Sequence, residues 1–230
     1  MLKVSKITQL APVLVGALAL AACGGETGTS STSNTSTEGT QEVIDTSKTG
    51  ALGEMFIGDI DAPLTVVEYA SVTCPHCATF HETILPEIKS EFVDTGKVRF
   101  VFREFPTSPA ELSVVGSMLA RCAADKGGSD AYFLVLDSLF KTQKKWIYGD
   151  TRDELMKIAA QAGIDQQGFE ACVARQDLVD LINENVDDGR KKYDVNSTPS
   201  FVLGGNLRHF NSADDMRTAL NEALEKVEAQ

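Results

Sequence analysis

Two cysteines lie two residues apart in Tyr-Ala-Ser-Val-Thr-Cys-Pro-His-Cys-Ala-Thr-Phe-His, residues 69–81, directly after an apolar run. At this spacing Cys74 and Cys77 fit three chemistries: half of a zinc site, a structural disulfide, or a dithiol that cycles between reduced and oxidised forms. Pro75 suits the first position of a helix, which makes Cys74 the N-cap residue. Its sulfur then faces the free amides of His76 and Cys77 and the positive end of the helix dipole, groups that favour thiolate over thiol. His76 adds a donor or a positive charge beside it, so the Cys74 pKa is expected between roughly 3.5 and 7.5. Stabilising the thiolate stabilises the reduced pair and raises its reduction potential. Cys77, one helical turn in, is expected to be buried and to act as the resolving thiol.

Five cysteines occur, at 23, 74, 77, 122 and 172. With Cys23 assigned to lipid, four remain, an even number in an exported chain. Four cysteines allow three connectivities. The short separation of Cys74 and Cys77 favours the local pair and leaves Cys122 with Cys172 as a structural bridge. Val115, Met118, Leu119 and Cys122 share one helical face, and Phe169, Cys172 and Val173 another, so both cysteines point toward a core. Two buried free thiols are the alternative. A bridge closing a loop of this length contributes about 4 kcal/mol in the chain-entropy model.

The N-terminus starts with Lys3 and Lys6 and continues in an apolar run from Leu10 to Ala22, too short to span a bilayer and suited to an export signal. Leu20-Ala21-Ala22-Cys23 resembles the lipobox of bacterial lipoproteins, which implies removal of residues 1–22 and a lipid on Cys23; ordinary signal cleavage with an incidental Cys23 is the alternative. Residues 23–54 are dominated by Gly, Ser and Thr and read as a flexible tether, because they cannot bury enough surface to offset the entropy of ordering. Loss of Lys3 and Lys6 would move the formal charge from −12 by two, to −14. No basic patch survives to favour nucleic acid.

The elements that must position the cysteines follow from periodicity. Leu64 to Tyr69 is rich in strand formers, a helix with Phe80, Ile84 and Ile88 on one face follows, with a kink expected at Pro86, and Lys97 to Phe105 alternates as a strand. That strand, helix, strand unit suits a parallel crossover. A helical block comes next. It opens with Ser108 as expected N-cap, Pro109 at the first helical position and Glu111 completing a capping box. Past Gly127-Gly128, helices are expected at about 130–142, from Thr151 (with Glu154 as a second capping box) to Gly163, at 166–174 and at 177–192. A strand, glycine turn and short strand over 198–210 precede a closing helix capped by Ser212. Trp146 and Tyr148 read as packing residues. His81 reads as a helix-surface histidine, with a third zinc ligand beside Cys74 and Cys77 as the alternative.

The stretch Ala62 to Pro86 with its Cys-Pro-His-Cys, the later segments around Cys122 and Cys172, and Ser-Thr-Pro-Ser-Phe at 197–201 together resemble the DsbA-like thiol-disulfide oxidoreductases of the thioredoxin superfamily, from about residue 58 to the C-terminus. The resemblance implies an α/β chain, a thioredoxin fold with an inserted helical domain. The divisions are then a signal peptide over 1–22, a tether over 23–54, the first part of the thioredoxin domain over 55–107, the insertion over 108–192 and the second part over 193–230. It implies that Glu68 is a buried acid beneath the cysteines that exchanges a proton with Cys77, and that Pro199 is a cis-proline whose neighbour Thr198 pairs with an extended substrate strand. Cys74, Cys77, His76, Pro75 and Glu68 are then the catalytic set, without a cofactor. The expected activity is that of a membrane-tethered enzyme, a dithiol oxidase acting on cysteines of exported proteins and reset by a membrane redox partner. No dimerisation segment is evident, so a monomer is expected, anchored by its lipid in the bacterial cell envelope with the head in the periplasm or another extracytoplasmic space. Thr198 is familiar from isomerases, so a reductase or isomerase is one alternative; a metal-binding lipoprotein using the cysteine pair and His81 is another, of a different class.

Overall fold

The computed structural model describes residues 47–229. Cys23, the signal peptide and most of the expected tether lie outside them. Strand β2 (Leu64–Ala70) is buried at all seven positions, as a strand covered on both faces must be. It pairs in parallel with β3 (Val98–Glu104) and antiparallel with β4 (Ser200–Leu203). With β1 (Met55–Ile57) and β5 (Asn206–Arg208) it forms a five-stranded sheet in the order β1-β3-β2-β4-β5, which puts β2 at the centre. Successive β2 side chains alternate between faces. Val66 packs with Phe80, Ile88 and Phe92 and with Met216 and Leu220 of the closing helix α8 (Ala213–Glu228). Val67 and Tyr69 pack on the other face with Phe105, Val195 and Val202.

The run after β2 is one continuous helix of varying pitch. It comprises α1 (Pro75–Thr79), a π turn over Phe80–Ile84, α2 (Leu85–Ile88) and a second π turn over Lys89–Val93. The disturbance expected at Pro86 takes the form of the first widened turn, in which the Leu85 N–H donates to the Phe80 carbonyl.

Between β3 and β4 lies the helical insertion: α3 (Ala110–Lys141), α4 (Gln143–Tyr148), α5 (Thr151–Gln161), α6 (Gln166–Val173) and α7 (Gln176–Tyr193). Gly127 and Gly128 break α3 where the sequence placed a boundary, Gly128 with φ of 62°. Leu119, Leu136, Leu139, Trp146, Ile158 and Phe169 form its core. Cys122 and Cys172 are joined, fastening α3 to α6 with their Cα atoms 6.0 Å apart. No helix among the described residues is long and apolar enough to cross a membrane.

Several local expectations are corrected. The Ser108-Pro109 bond is cis and Pro109 is extended (ψ 113°), so Pro109 itself is the N-cap of α3, its carbonyl accepts from Ser113, and Ser108 sits one residue too early to cap. Asp150, not Thr151, caps α5, accepting from the Asp153 amide. Residues 50–54, assigned to the tether, are folded: Ala51 is buried, its amide donates to Asp125, and Arg121 donates to the carbonyls of Ala51 and Gly53. The insertion does not end cleanly at 192 either. The last turns of α7 lie on the sheet, where a Cβ at Gly189 would come within 2.8 Å of the Tyr69 ring. Trp146 is fully buried, as expected of a packing residue, whereas Tyr148 is 81% exposed.

Candidate active site

Cys74 adopts the extended conformation of an N-cap (φ −80°, ψ 121°) with Pro75 at the first helical position. Cys74 and Cys77 are free thiols, both buried, while Pro75 and His76 are exposed. The two sulfurs sit in different electrostatic surroundings. A hydrogen bond from Cys77 is the largest influence on Cys74; burial opposes it, and donors from Thr198 and from the backbone of Cys77 and His76 add to it, so that the Cys74 pKa is lowered to about 5. As a thiol, Cys74 donates to the Thr198 carbonyl at 3.3 Å, a contact that favours the neutral form and is outweighed. The sulfur makes no capping hydrogen bond of standard geometry. What His76 turns toward the sulfur is its backbone N–H. Cys77 moves the opposite way, pushed well above the usual thiol value by burial first, then by its bond to Cys74 and the charge of Glu68.

Glu68, on the central strand, is fully buried and lies in register with Phe102 and Phe201 of the two flanking strands. The Thr198-Pro199 peptide bond is cis, and both residues are half-buried at the entry to β4. The structure thus brings Glu68, Cys74, Pro75, His76, Cys77, Thr198 and Pro199 to one end of the sheet. Cys122 and Cys172 are set apart in the insertion.

Two further residues belong here that the sequence did not assign. His81 is buried, against expectation: its Nε2 lies 2.8 Å from Glu68 Oε2, and its ring stacks on Phe140 with centroids 4.3 Å apart. Its position four residues after Cys77 on a helix was the available signal, since that spacing returns to the same face. Gln143 of α4 reaches back to the loop before Cys74, and nothing in its local sequence marks it. Because His81 is committed to Glu68, it does not join the cysteines as a ligand, and among the described residues no group of three or more His, Cys, Asp or Glu side chains is placed to hold a metal ion.

The loop carrying Cys74 is held by hydroxyls. Ser71 Oγ lies 2.8 Å from Ser113 Oγ of α3 and 2.9 Å from Thr73 Oγ1, and it accepts from the Thr107 amide. Behind it, the Glu104 carboxylate accepts from Arg121, Tyr132 and Asn185 in a buried network that joins β3 to α3 and α7.

Comparison with known proteins agrees with this geometry. The thioredoxin family profile matches residues 51–222. A Rickettsia bellii protein named a protein-disulfide oxidoreductase is 33% identical over 174 residues, covering 75% of this chain and 65% of its own length. The match therefore spans just under two thirds of that relative. A Bacillus cereus protein named disulfide bond formation protein D is 31% identical over 176 residues, 74% of this chain and 78% of the relative. The crystal structure of alpha-DsbA1 from Wolbachia pipientis aligns with a TM-score of 0.68 at 26% identity, covering 76% of this chain and 93% of that one. With a family profile over most of the folded residues, and a central acid, a Cys-Pro-His-Cys helix start and a cis-proline in their expected places, the chain belongs to the thioredoxin family as a DsbA-like member.

Proposed function

We propose that the chain is a thiol-disulfide oxidoreductase that passes a Cys74-Cys77 disulfide to cysteines of exported proteins and works in the oxidising direction. The observation that carries this reading is the split between two adjacent thiols, Cys74 lowered to about 5 and Cys77 raised. A substrate thiolate attacks Cys74 Sγ, the bond between the cysteines breaks, and Cys77 leaves with the electron pair and takes up a proton. A second substrate thiolate then attacks the substrate sulfur of the mixed disulfide, and Cys74 departs as thiolate. A thiol of low pKa is the better leaving group, so this last step favours oxidised substrate. Thr198, before the cis bond and 3.3 Å from Cys74 through its carbonyl, offers extended backbone to a substrate strand. The names of the Rickettsia and Bacillus relatives point to the same chemistry. Recharging falls to an oxidising membrane partner.

The lipobox-like Leu20-Ala21-Ala22-Cys23 and the Ser/Thr-rich residues behind it support lipid anchoring in the cell envelope, with the head extracytoplasmic. Labelling with a tagged fatty acid should mark the wild type and spare Cys23→Ala; equal labelling would remove the anchor from the proposal. Thr198 favours the second reading, a reductase or isomerase. Incubation with a reduced unfolded substrate and, separately, with a scrambled one distinguishes the two. The oxidase reading requires faster oxidation than rescue, no activity in Cys74→Ala, and mixed disulfides trapped through Cys74 in Cys77→Ala.

A further inference from the structure

The exchange mechanism requires a proton to reach Cys77 in a place closed to solvent. Cys77 is 0% exposed and feels the charge of Glu68 on the central strand, whose partner is His81. These two are buried together, with side chains 0% and 2% exposed and joined at 2.8 Å. Each has a second polar atom, Glu68 Oε1 and His81 Nδ1, that is buried without a hydrogen-bond partner. The imidazole is walled by Phe140, Phe102 and Phe80. A carboxylate alone in such surroundings is costly. A carboxyl and an imidazole in contact can share one proton between them and so be neutral as a unit. His81 also lies one turn beyond Cys77 on the same side of the helix.

The resemblance already implies that Glu68 exchanges a proton with Cys77; we propose that His81 positions that carboxyl and shares its proton, so that the two act as one pair that supplies Cys77 as the disulfide opens and is recharged as the disulfide re-forms. The inference rests on the exchange chemistry proposed above. In the opening step the substrate sulfur bonds to Cys74, the Cys74-Cys77 bond breaks with its electron pair on Cys77 Sγ, and the proton moves from the pair to that sulfur. On reoxidation Cys77 Sγ returns the proton to the pair and bonds to Cys74 Sγ, and the thiolate of the oxidising partner leaves. The titratable groups that the Glu68 charge reaches are Cys77 from α1 and Tyr132 from α3, whose hydroxyl is donated to Glu104 with Arg121 beyond. His76 is exposed, and it is the pair that lies behind Cys77 within the core.

The test is reduction of the oxidised full-length protein by dithiothreitol from about pH 5 to about pH 9, followed by the fluorescence of Trp146, the chain's one tryptophan, with each rate divided by the reductant's thiolate fraction. The corrected wild-type rate should fall as pH rises and the pair loses its proton. His81→Gln keeps a donor for Glu68 and carries no proton. It should slow the reaction at low pH by about 100-fold, the lower end for a positioned proton transfer, and flatten the profile. Glu68→Gln should do the same, and the double variant should be no slower than the slower single variant. A His81→Gln profile within about two-fold of wild type would overturn the pair while leaving the exchange chemistry intact; a wild type that exchanges with no thiol would overturn the exchange reading itself. Where the variants fail to fold, the wild type decides: the imidazole nitrogen-15 shifts of His81 should report different protonation or tautomer in the oxidised and reduced forms, and identical shifts overturn the proposal.

Discussion

Gln143 Nε2 donates to the carbonyls of both Val72 and Cys74, at 2.9 and 3.0 Å, from a side chain buried beneath the active-site loop. The insertion therefore grips the N-cap residue itself. Ser113 grips the same loop from α3 through Ser71. Gly116 of α3 lies close to both Val72 and Trp146, one turn after Gln143: a Cβ there would come within 3.0 Å of Val72 and 3.5 Å of the indole. The position of the Cys74 sulfur at the helix start thus depends on residues about 70 positions away.

Gln143→Leu removes the donor from two buried carbonyls and should cost roughly 1 to 3 kcal/mol in urea unfolding. It should also move the Cys74 thiolate absorbance midpoint upward from about 5, because the loosened N-cap holds the sulfur less well over the amides. A stability loss with an unmoved midpoint would confine Gln143 to a structural part.

For the thiols, alkylation of the reduced protein near neutral pH should modify Cys74 and spare Cys77, since one is a thiolate there and the other a buried thiol. The folded Cys74 pKa lies below the ordinary thiol value of 9.0. Its contribution to the reduced fold is therefore complete above about 9 and is lost as pH falls through about 5. The stability of the reduced form relative to the oxidised form should rise across that window. Denaturant melts of both forms at its two ends check the sign.

Much of this site was legible in the sequence because local rules govern it. Cys74 as N-cap follows from Pro75, the strand and crossover from alternation and spacing, and the break at Gly127-Gly128 from backbone freedom. The placement of Glu68 and the cis bond at Pro199 came only through resemblance, since a single acid in a strand carries no signal of burial. The spacing of His81 from Cys77 does return to the same helical face, but the partner that makes its burial possible, Glu68, lies on another element and leaves no mark in a helical pattern. Gln143 and residues 50–54 escaped for a related reason: their roles are long-range hydrogen bonds to backbone, and a short segment such as Ala51 to Glu54 has no periodicity to read.

The Glu104-Arg121 pair was equally invisible, and it carries an acid-stability prediction. Burial alone would raise the Glu104 carboxyl; the charge and hydrogen bonds of Arg121, with help from Tyr132, outweigh it and hold the pKa below the usual range. The stability it contributes is present above the unfolded carboxyl's pKa and is lost as pH falls through the lower folded value. Removing one partner, as in Arg121→Met, should cost about 3 to 5 kcal/mol at neutral pH. The loss should shrink on acidification, which urea melts at several pH values measure.

Mild reductant should open Cys74-Cys77 before Cys122-Cys172. The first pair joins an activated thiol, whereas the second closes a 50-residue separation between packed helices. Cys122→Ala with Cys172→Ala should lower stability by about 4 kcal/mol and leave the chemistry at Cys74 in place. Alkylation with mass mapping reads the order directly.

The oxidising direction meets its most direct test in the redox equilibrium of Cys74 and Cys77 with glutathione. Because the lowered Cys74 pKa stabilises the dithiol, the pair should be a stronger oxidant than thioredoxin, with a potential well above about −270 mV. A potential at or below about −270 mV would contradict the oxidase reading and point to a reductase or isomerase.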